Sequence, residues 1–379
     1  MLGLTLFNLS FKSIFVKRTN DDLKGENMVT HRVAALFLAG LLVFSGSASA
    51  EKQKVISDKN KYGGKTIEAT YESGDKLYGD ALKKIIYYDS TGKETEEECF
   101  CTDKYAKELG INKKIAYFDI NGKMTKAELL YTDQLANEKG VSKSIVYSDE
   151  NGRETKEEFY HTEKFANEKG FNKDIAYFDS NGKMARREFF YTDKFANEKG
   201  YNRSIADLDN NEKVTRETLF YTDKFADEKG LNKGITYFDG NGKVTEEESF
   251  YTDKFSNETG INKTIDYFDN DENLIAKNLF YTDEFADKKG YNKAITYFHG
   301  NEEVIKEEVF YTDKFSDEKG VNRSITYLDS NGRMTKAEYF HTDKFANEQG
   351  YDRSIVYFDS NGNVTKNEYY RDGKEIETK

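Results

Sequence analysis

The chain of 379 residues has no proline and no tryptophan, and it has only two cysteines and four histidines. Its mean hydropathy of -0.84 and its 33% charged residues would suit a disordered protein. Disordered chains, however, are poor in aromatic residues, whereas this chain carries 27 Tyr and 28 Phe. The composition therefore predicts a folded protein.

Blocks of one charge sign are also missing. Lys and Arg total 57 against 69 Asp and Glu, a net charge of -12, and the two signs alternate along the whole chain. Because the sequence shows no basic stripe, it gives no support to electrostatic capture of nucleic acid or of an anionic membrane. We expect no nucleic-acid partner.

Long apolar runs are scarce, and the one near the N-terminus has the pattern of a secretory signal peptide. A basic start at Met28 precedes the apolar stretch 33–44, and Ala48-Ser49-Ala50 forms a small-residue cleavage site. We expect residues 28–50 to be removed, Glu51 to begin the mature chain, and residues 1–27 to reflect a start codon assigned too far upstream. No later segment is apolar enough to span a membrane, so we expect export to the periplasm, the cell surface or the medium.

A 30-residue period organises most of the chain. The segment that begins at Tyr191 aligns with the one that begins at Tyr221, and the same register holds from 71 to 370 as ten units. Residues 51–70 then form an N-terminal lead-in, and residues 371–379 form a C-terminal tail. The first half of the first unit diverges from the others, which is typical of a capping repeat.

Each unit predicts a β-hairpin followed by a short helix. In the unit 171–200, two β-rich runs flank Asn181-Gly182, a turn signal in which both residues would adopt φ > 0. Thr192 would cap a helix over 194–199, and Gly200 would end it in the left-handed conformation of a Schellman motif. The predicted fold class is mainly β with short helical segments: an elongated, solenoid-like tandem-repeat array of hairpin plus short-helix units.

A single hairpin cannot bury its own apolar side chains, whereas stacked units would bury them between neighbours. We expect equivalent aromatic residues, such as Tyr177, Tyr237, Tyr267 and Tyr297, to form ladders inside the array. Two strands per unit predict about 10 Å of length for each repeat, if all hairpins join one sheet.

The hairpin turn resembles part of the calcium loop of EF-hand proteins. In the segment 117–129, Asp119, Asn121 and Glu128 occupy the third, fifth and twelfth positions of that loop, but Tyr117 occupies the first, where a carboxylate is needed. The resemblance implies calcium ligands at Asp119, Asn121, Glu128, Asp179, Asn181, Glu188, Asp329, Asn331 and Glu338. The alternative is an ordinary hairpin turn with a solvated glutamate, which implies no metal and no other cofactor.

Residue types that carry catalysis are few. Cys99 and Cys101 are too close in sequence for an easy disulfide. We interpret them as packed or redox-linked residues in preference to metal ligands. His161 and His341 replace a tyrosine that recurs at the same place in other units, so we interpret them as variations within the repeat. The sequence has no nucleophile elbow, no phosphate-binding glycine loop and no H-E-x-x-H motif, and we expect no enzyme.

The hairpin stretch that begins at Tyr177 and contains Asp179, Gly182 and Lys183 resembles Tyr-Asp-x-x-Gly repeats of the YD type and of the YwqK group, a MORN-like antitoxin family. This resemblance implies an array of β-hairpins and offers an immunity or antitoxin role as one alternative; a calcium-responsive repeat protein is another. We favour an exported, non-enzymatic repeat scaffold that presents an extended binding or structural surface to a protein or a polysaccharide.

Overall fold

The computed structural model describes residues 52–71, 82–101, 106–107, 110–300 and 303–376, all within one unit that spans Ala50–Lys379. The predicted signal peptide (28–50), its cleavage point before Glu51 and the upstream segment 1–27 lie outside these residues. Part of the divergent first repeat lies outside them as well.

The described residues form a single antiparallel sheet of 23 strands, β1 to β23, in which each strand pairs with the next along the chain. The first twelve are Lys52–Ser57, Gly63–Tyr71, Leu82–Asp89, Glu94–Phe100, Ile111–Phe118, Met124–Tyr131, Val141–Ser148, Glu154–His161, Phe171–Phe178, Met184–Tyr191, Tyr201–Leu208 and Val214–Tyr221. The other eleven are Leu231–Phe238, Val244–Tyr251, Ile261–Phe268, Leu274–Tyr281, Tyr291–His299, Glu303–Tyr311, Val321–Leu328, Met334–His341, Arg353–Phe358, Val364–Arg371 and Lys374–Ile376.

A helix of seven residues follows every second strand from β6 to β20. In chain order, the helices α1 to α8 are Asp133–Lys139, Glu163–Lys169, Asp193–Lys199, Asp223–Lys229, Asp253–Thr259, Asp283–Lys289, Asp313–Lys319 and Asp343–Gln349. The mainly β array of hairpin plus short-helix units is confirmed. None of the helices in the described part of the chain is long and apolar enough to cross a membrane.

The segments outside the repeats extend the same sheet. Strand β1 and all but the last residue of β2 lie in the lead-in, and β2 pairs with β3 of the first repeat. At the other end, β23 comes from the tail and pairs with β22 through Tyr369↔Ile376. No strand was predicted from the sequence in either segment.

The hairpin turn differs from the prediction. Gly182 has a φ of 75°, but Asn181 does not have a positive φ, and the Gly182 N–H donates to the Asp179 carbonyl at 3.0 Å. The Asp179 carboxylate accepts the N–H of Asn181 at 2.8 Å and that of Lys183 at 2.9 Å. This is a type I turn followed by a left-handed glycine in a bulge, so only one residue needs φ > 0.

The helix ends follow their local chemistry. Thr192 accepts the N–H of Phe195 at 3.3 Å, as a helix N-cap does. At the other end, Gly200 has a φ of 86° and donates to the Ala196 carbonyl at 2.8 Å. This single bond is that of the αL motif and not the six-to-one bond of a Schellman motif, but the left-handed glycine is as predicted.

Neighbouring units meet at this glycine. Phe195 of one unit packs against Gly170 of the unit before it, so closely that a Cβ on Gly170 would lie 2.2 Å from Phe195 Cδ2. The N–H of Thr192 donates to the Gly170 carbonyl at 2.8 Å. The glycine therefore ends one helix and makes room for the next, and this contact sets the packing of successive units.

The helices cover one face of the sheet, and the core lies beneath them. Phe171, Phe189, Tyr191 and Tyr201 form one buried cluster, and the Phe195 ring stacks on Tyr191 with centroids 4.7 Å apart. Within the cluster, Phe171 contacts Phe189 and Tyr191 contacts Tyr201 in edge-to-face geometry.

The predicted Tyr177 ladder is wrong. Tyr177 and its equivalents lie half-exposed on the opposite face. They stand at least two strands apart, about 9.6 Å, with another residue between them on the intervening strand, so their rings cannot stack on one another.

Candidate functional site

Three parallel rows of side chains cross the helix-free face of the sheet. Residues that pair across adjacent strands lie on the same face, so the register traces each row from strand to strand. Phe190, for example, pairs with Lys173 on one side and with Arg203 on the other. Because the 30-residue period holds throughout, the same residue types return on every second strand.

The first row alternates cations with aromatic rings, and we call it the cation–aromatic row. Its cations are Lys83, Lys113, Lys143, Lys173, Arg203, Lys233, Lys263, Lys293, Arg323 and Arg353. Between them lie Phe100, Leu130, Tyr160, Phe190, Phe220, Phe250, Phe280, Phe310 and Phe340, and Tyr370 ends the row.

Cations in this row lie over the neighbouring rings. Lys233 Nζ is 3.9 Å from the centroid of Phe250, and the guanidinium of Arg323 is 3.9 Å from that of Phe340. Each such contact stabilises the pair by about 0.5–1 kcal/mol at a solvated position. The row is thus preorganised, with its rings and cations held in a fixed order at the surface.

The central row alternates isoleucine with glutamate. Its carboxylates are Glu98, Glu128, Glu158, Glu188, Glu248, Glu308, Glu338 and Glu368. The Glu128 carboxylate accepts a hydrogen bond from the Tyr117 hydroxyl at 3.0 Å. It also forms ion pairs of 2.6 Å with Lys126 and with Lys143. Burial raises the pKa of Glu128, but these bonds outweigh that effect and lower it to about 2.

The solvated glutamate expected from the sequence is therefore a buried one. Glu128 is 9% exposed because the long side chains of the two flanking rows fold over it. Lys126 comes from the same strand and Lys143 from the next unit, so each glutamate joins successive strands.

The third row, the tyrosine–lysine row, runs along the other side of the glutamates. It contains Tyr87, Glu96, Tyr117, Lys126, Tyr147, Lys156, Tyr177, Arg186, Asp207, Arg216, Tyr237, Glu246, Tyr267, Ala276, Tyr297, Lys306, Tyr327, Lys336, Tyr357 and Lys366. Tyrosines of this row donate to the central glutamates, as Tyr147 does to Glu158 at 3.1 Å, whereas Tyr267 accepts from Asn278 at 3.4 Å. Burial and the hydrogen-bonded Glu158 carboxylate raise the pKa of Tyr147, so its hydroxyl remains a donor at neutral pH.

Cations outnumber carboxylates across these three rows, although the whole chain is acidic with a net charge of -12. No basic stripe is evident in the sequence, because basic and acidic residues alternate along the chain. The fold sorts them, since alternate residues of a strand face opposite sides of the sheet. A basic stripe therefore exists, although most of its cations are paired with the central glutamates.

A groove opens at the C-terminal end of the cation–aromatic row. Its volume is about 650 Å³, and its lining includes Phe310, Phe340 and Tyr370 together with Arg323 and Arg353. Here rings and guanidinium groups face an open space together, an arrangement suited to a ligand with both a ring face and a negative charge.

The structure does not bring the proposed calcium ligands together. The Asp119 carboxylate lies in the turn, where it accepts the N–H of Asn121 and of Lys123 at 2.8 and 2.9 Å, and these backbone bonds lower its pKa. Glu128 lies within a strand opposite Ile115 and binds lysines instead. The sets at Asp179, Asn181 and Glu188 and at Asp329, Asn331 and Glu338 repeat this arrangement. Within the residues that the structure describes, no three His, Cys, Asp or Glu side chains form a potential metal site.

Both cysteines are free thiols. Cys99 is buried and donates to Glu97 at 2.9 Å, while burial raises its pKa well above the ordinary value. Burial also raises the pKa of Cys101 to about 11. Both groups are therefore protonated and poorly nucleophilic at neutral pH.

One cluster of different ionisable side chains was not predicted from the sequence. His161 Nε2 lies 2.6 Å from the Asp174 carboxylate, and Arg187 Nε lies 2.8 Å from the other oxygen of that carboxylate. The signal was available, because Asp174 stands where other units carry Ser144 or Ser204. His161 is closed off by Phe165, whose ring stacks on it at 4.4 Å, and the Asp174 side chain is 0% exposed, so no substrate reaches the pair.

No protein-family model matches the chain, and no curated protein matches it. Among solved structures, the crystal structure of TcdB2-TccC3 is similar over 84% of this chain and 19% of its own, with 9% identity and a TM-score of 0.15. A porin-like protein from Bacteroides uniformis is similar over 82% of this chain and 92% of its own, with 12% identity and a TM-score of 0.14. The chain thus spans about a fifth of the length of the first structure, and at these TM-scores neither similarity indicates a function.

Proposed function

We propose that this protein is an exported, non-enzymatic repeat scaffold whose helix-free sheet face binds a polymer or a protein along its length. The observation that carries this proposal is the cation–aromatic row, which presents rings and cations in a fixed order across the strands of the repeats. A purely structural sheet needs no such regular exposure of both residue types on one face.

The repetition gives the binding its strength. Each ring or cation contributes little alone, but a ligand bound at one unit meets equivalent groups at the next, at a high effective concentration. A long partner therefore gains affinity with every unit that it covers, and a short fragment of the same partner binds weakly.

A comparison of two triple variants tests the surface. Phe220, Phe250 and Phe280 are half-exposed in the cation–aromatic row, whereas Lys194, Lys224 and Lys254 are exposed on the helices. Binding of the chain from Glu51 onward to soluble polysaccharides and extracellular proteins would be measured by affinity electrophoresis and biolayer interferometry. We expect serine at the three Phe positions to lower the affinity at least about tenfold and serine at the three Lys positions to leave it within about twofold. Equal losses in the two variants, or no binding partner in the panel, would overturn the proposal.

Export has its own test. The leader 28–50 is the support for it, and the intact mass of the secreted protein should correspond to a chain that begins at Glu51. A mature protein that retains residues before Met28 contradicts both the cleavage and the downstream start.

A further inference from the structure

Eight of the ten cations in the cation–aromatic row have a glutamate or aspartate partner, and two do not. The eight pairs join Lys83 to Glu68, and Lys113, Lys143, Lys173, Arg203, Lys263, Arg323 and Arg353 to the glutamate fifteen residues before each of them. For Lys233 and Lys293 that position holds Thr218 and Asn278. Within the described residues, neither ammonium group has a carboxylate at ion-pair distance.

The two unpaired ammonium groups lie among aromatic rings. Lys233 Nζ is 3.9 Å from the Phe250 centroid, and Lys293 Nζ lies between Phe280 and Phe310, at 5.4 and 5.1 Å. Both lysines and all three rings are half-exposed. An ammonium group without a counter-ion attracts a ligand anion, whereas the charge of each paired cation is largely neutralised by its glutamate.

The spacing of the two lysines indicates the kind of anion. Lys233 lies on β13 and Lys293 on β17, four strands apart and therefore about 19 Å from each other along the row. Nucleic acids carry a phosphate every few ångströms, so most of their charges would meet no unpaired cation here. Rings without a free cation fill the space between the two lysines, and a ring face stacks well on the apolar face of a sugar.

We propose that the cation–aromatic row binds a linear polysaccharide with widely spaced carboxylates, and that Lys233 and Lys293 hold two of those carboxylates while Phe250 and Phe280 pack against the sugars between them. This inference rests on the proposed function and adds the ligand class and the positions of recognition. Thr218 and Asn278 matter because they carry no charge, whereas a glutamate at either position would neutralise the lysine.

The test restores the missing glutamates. The variant T218E/N278E keeps both lysines but gives each the partner that its equivalents have, at two positions that correspond to Glu128 in the repeat and are similarly buried. The variant K233Q/K293Q removes the charges directly, and K224Q/K254Q removes two exposed helix lysines as a control. Titration calorimetry would use polygalacturonate with most of its carboxylates methyl-esterified, fully ionised polygalacturonate, dextran and poly(dT).

We expect the sparsely charged polygalacturonate to bind the unaltered protein, and both site variants to lower its affinity about tenfold while the control changes it less than about twofold. T218E/N278E should also raise the midpoint of thermal unfolding, which separates lost binding from lost folding. Unchanged affinity in both site variants would overturn the assignment of Lys233 and Lys293 but would leave the binding surface in place. Tighter binding of poly(dT) or equal binding of dextran would overturn the ligand class.

Discussion

At the scale of single residues, the glycine that ends each helix meets two demands at once. Gly170 has a φ of +87°, a conformation that residues with a Cβ rarely adopt, and Phe195 occupies the space where a Cβ would lie. Gly350 has the same φ of +87°, but among the residues that the structure describes no atom lies within 4 Å of its would-be Cβ, and no helix of a further unit packs there. The two positions therefore separate backbone strain from packing.

We expect G350A to lower the free energy of unfolding by about 1 kcal/mol, from backbone strain alone. G170A should cost about 1–3 kcal/mol more, because Phe195 must move. G182A provides a control inside the array, since Gly182 also has a positive φ but no neighbour within 4 Å. Urea denaturation followed by circular dichroism measures all three, and equal losses for G170A and G182A would contradict the packing role.

The hairpin turn offers a second test at this scale. Glu212 stands at the left-handed position of its turn with a φ of 59°, where the equivalent residue of the preceding unit is Gly182. Replacement E212G relieves the strain of a left-handed side chain, partly offset by the greater freedom of glycine in the unfolded chain, and should raise the free energy of unfolding by about 1 kcal/mol. The reverse change, G182E, should lower it by a similar amount. Denaturant midpoints give both values, and a loss of stability in E212G would disprove the strain.

At the scale of elements, the glutamates join strands to one another across the helix-free face. Glu158 binds Lys156 of its own strand at 2.5 Å and Lys173 of the next strand at 2.7 Å. Burial opposes ionisation, but these bonds prevail and lower the pKa of Glu158 to about 2, as they do for Glu128. The strands are therefore held together most strongly when the glutamates are ionised.

The pH dependence follows from the direction of these shifts. The folded pKa of about 2 lies below the ordinary value of 4.5, so the stabilisation is present above pH 4.5 and is lost as the pH falls toward 2. We expect E128Q to lower the free energy of unfolding at pH 7 by on the order of 1–2 kcal/mol, after allowance for solvent screening, and to have little effect near pH 2. Denaturation curves between pH 2 and 7 test this, with E168Q on an exposed helix position as the control. A deficit of E128Q that stays constant with pH would contradict the role of the carboxylate charge.

At the scale of the whole molecule, every strand pairs with its neighbours in sequence, so stability is approximately a sum of unit and interface terms. Deletion of residues 221–250 joins residues 214–220 directly to Tyr251, which restores a strand like β12. Phe255 would then meet Gly200, as Phe225 does in the intact chain. The strand pairing and the Phe–Gly contact between units are thereby rebuilt, while Lys263 exchanges Glu248 for Thr218.

We expect this deletion variant to fold and to shorten the body by about 10 Å, the width of two strands. Small-angle scattering and circular dichroism measure both properties. A deletion of half a unit, residues 221–235, provides the control, because it removes the helix Asp223–Lys229 and most of the strand Leu231–Phe238 and so reverses the direction of all strands that follow. Failure of the whole-unit variant to fold, or equal behaviour of the two deletions, would refute the modular array.

The local parts of the fold could be predicted from the sequence because short-range chemistry decides them. Thr192 and Gly200 mark the ends of a helix through bonds within a few residues, and an Asp-x-Asn-Gly segment specifies a hairpin turn. The exact turn type was missed, since the Asp179 carboxylate selects a type I turn that Asn181-Gly182 alone does not indicate. The candidate surface could not be predicted, because it depends on which residues share a face.

The sequence by itself determined the period, the hairpins, the helix boundaries and the one-dimensional order, since each depends on contacts within a unit or between equivalent units. Only the tertiary structure decided which side chains meet across strands. Register and strand alternation place Lys143 beside Glu128, fifteen residues earlier, and leave Lys233 beside Thr218 without a carboxylate. Charges that alternate along the chain thus become ordered rows on one face, because a sheet sorts residues by their side and not by their position in the sequence.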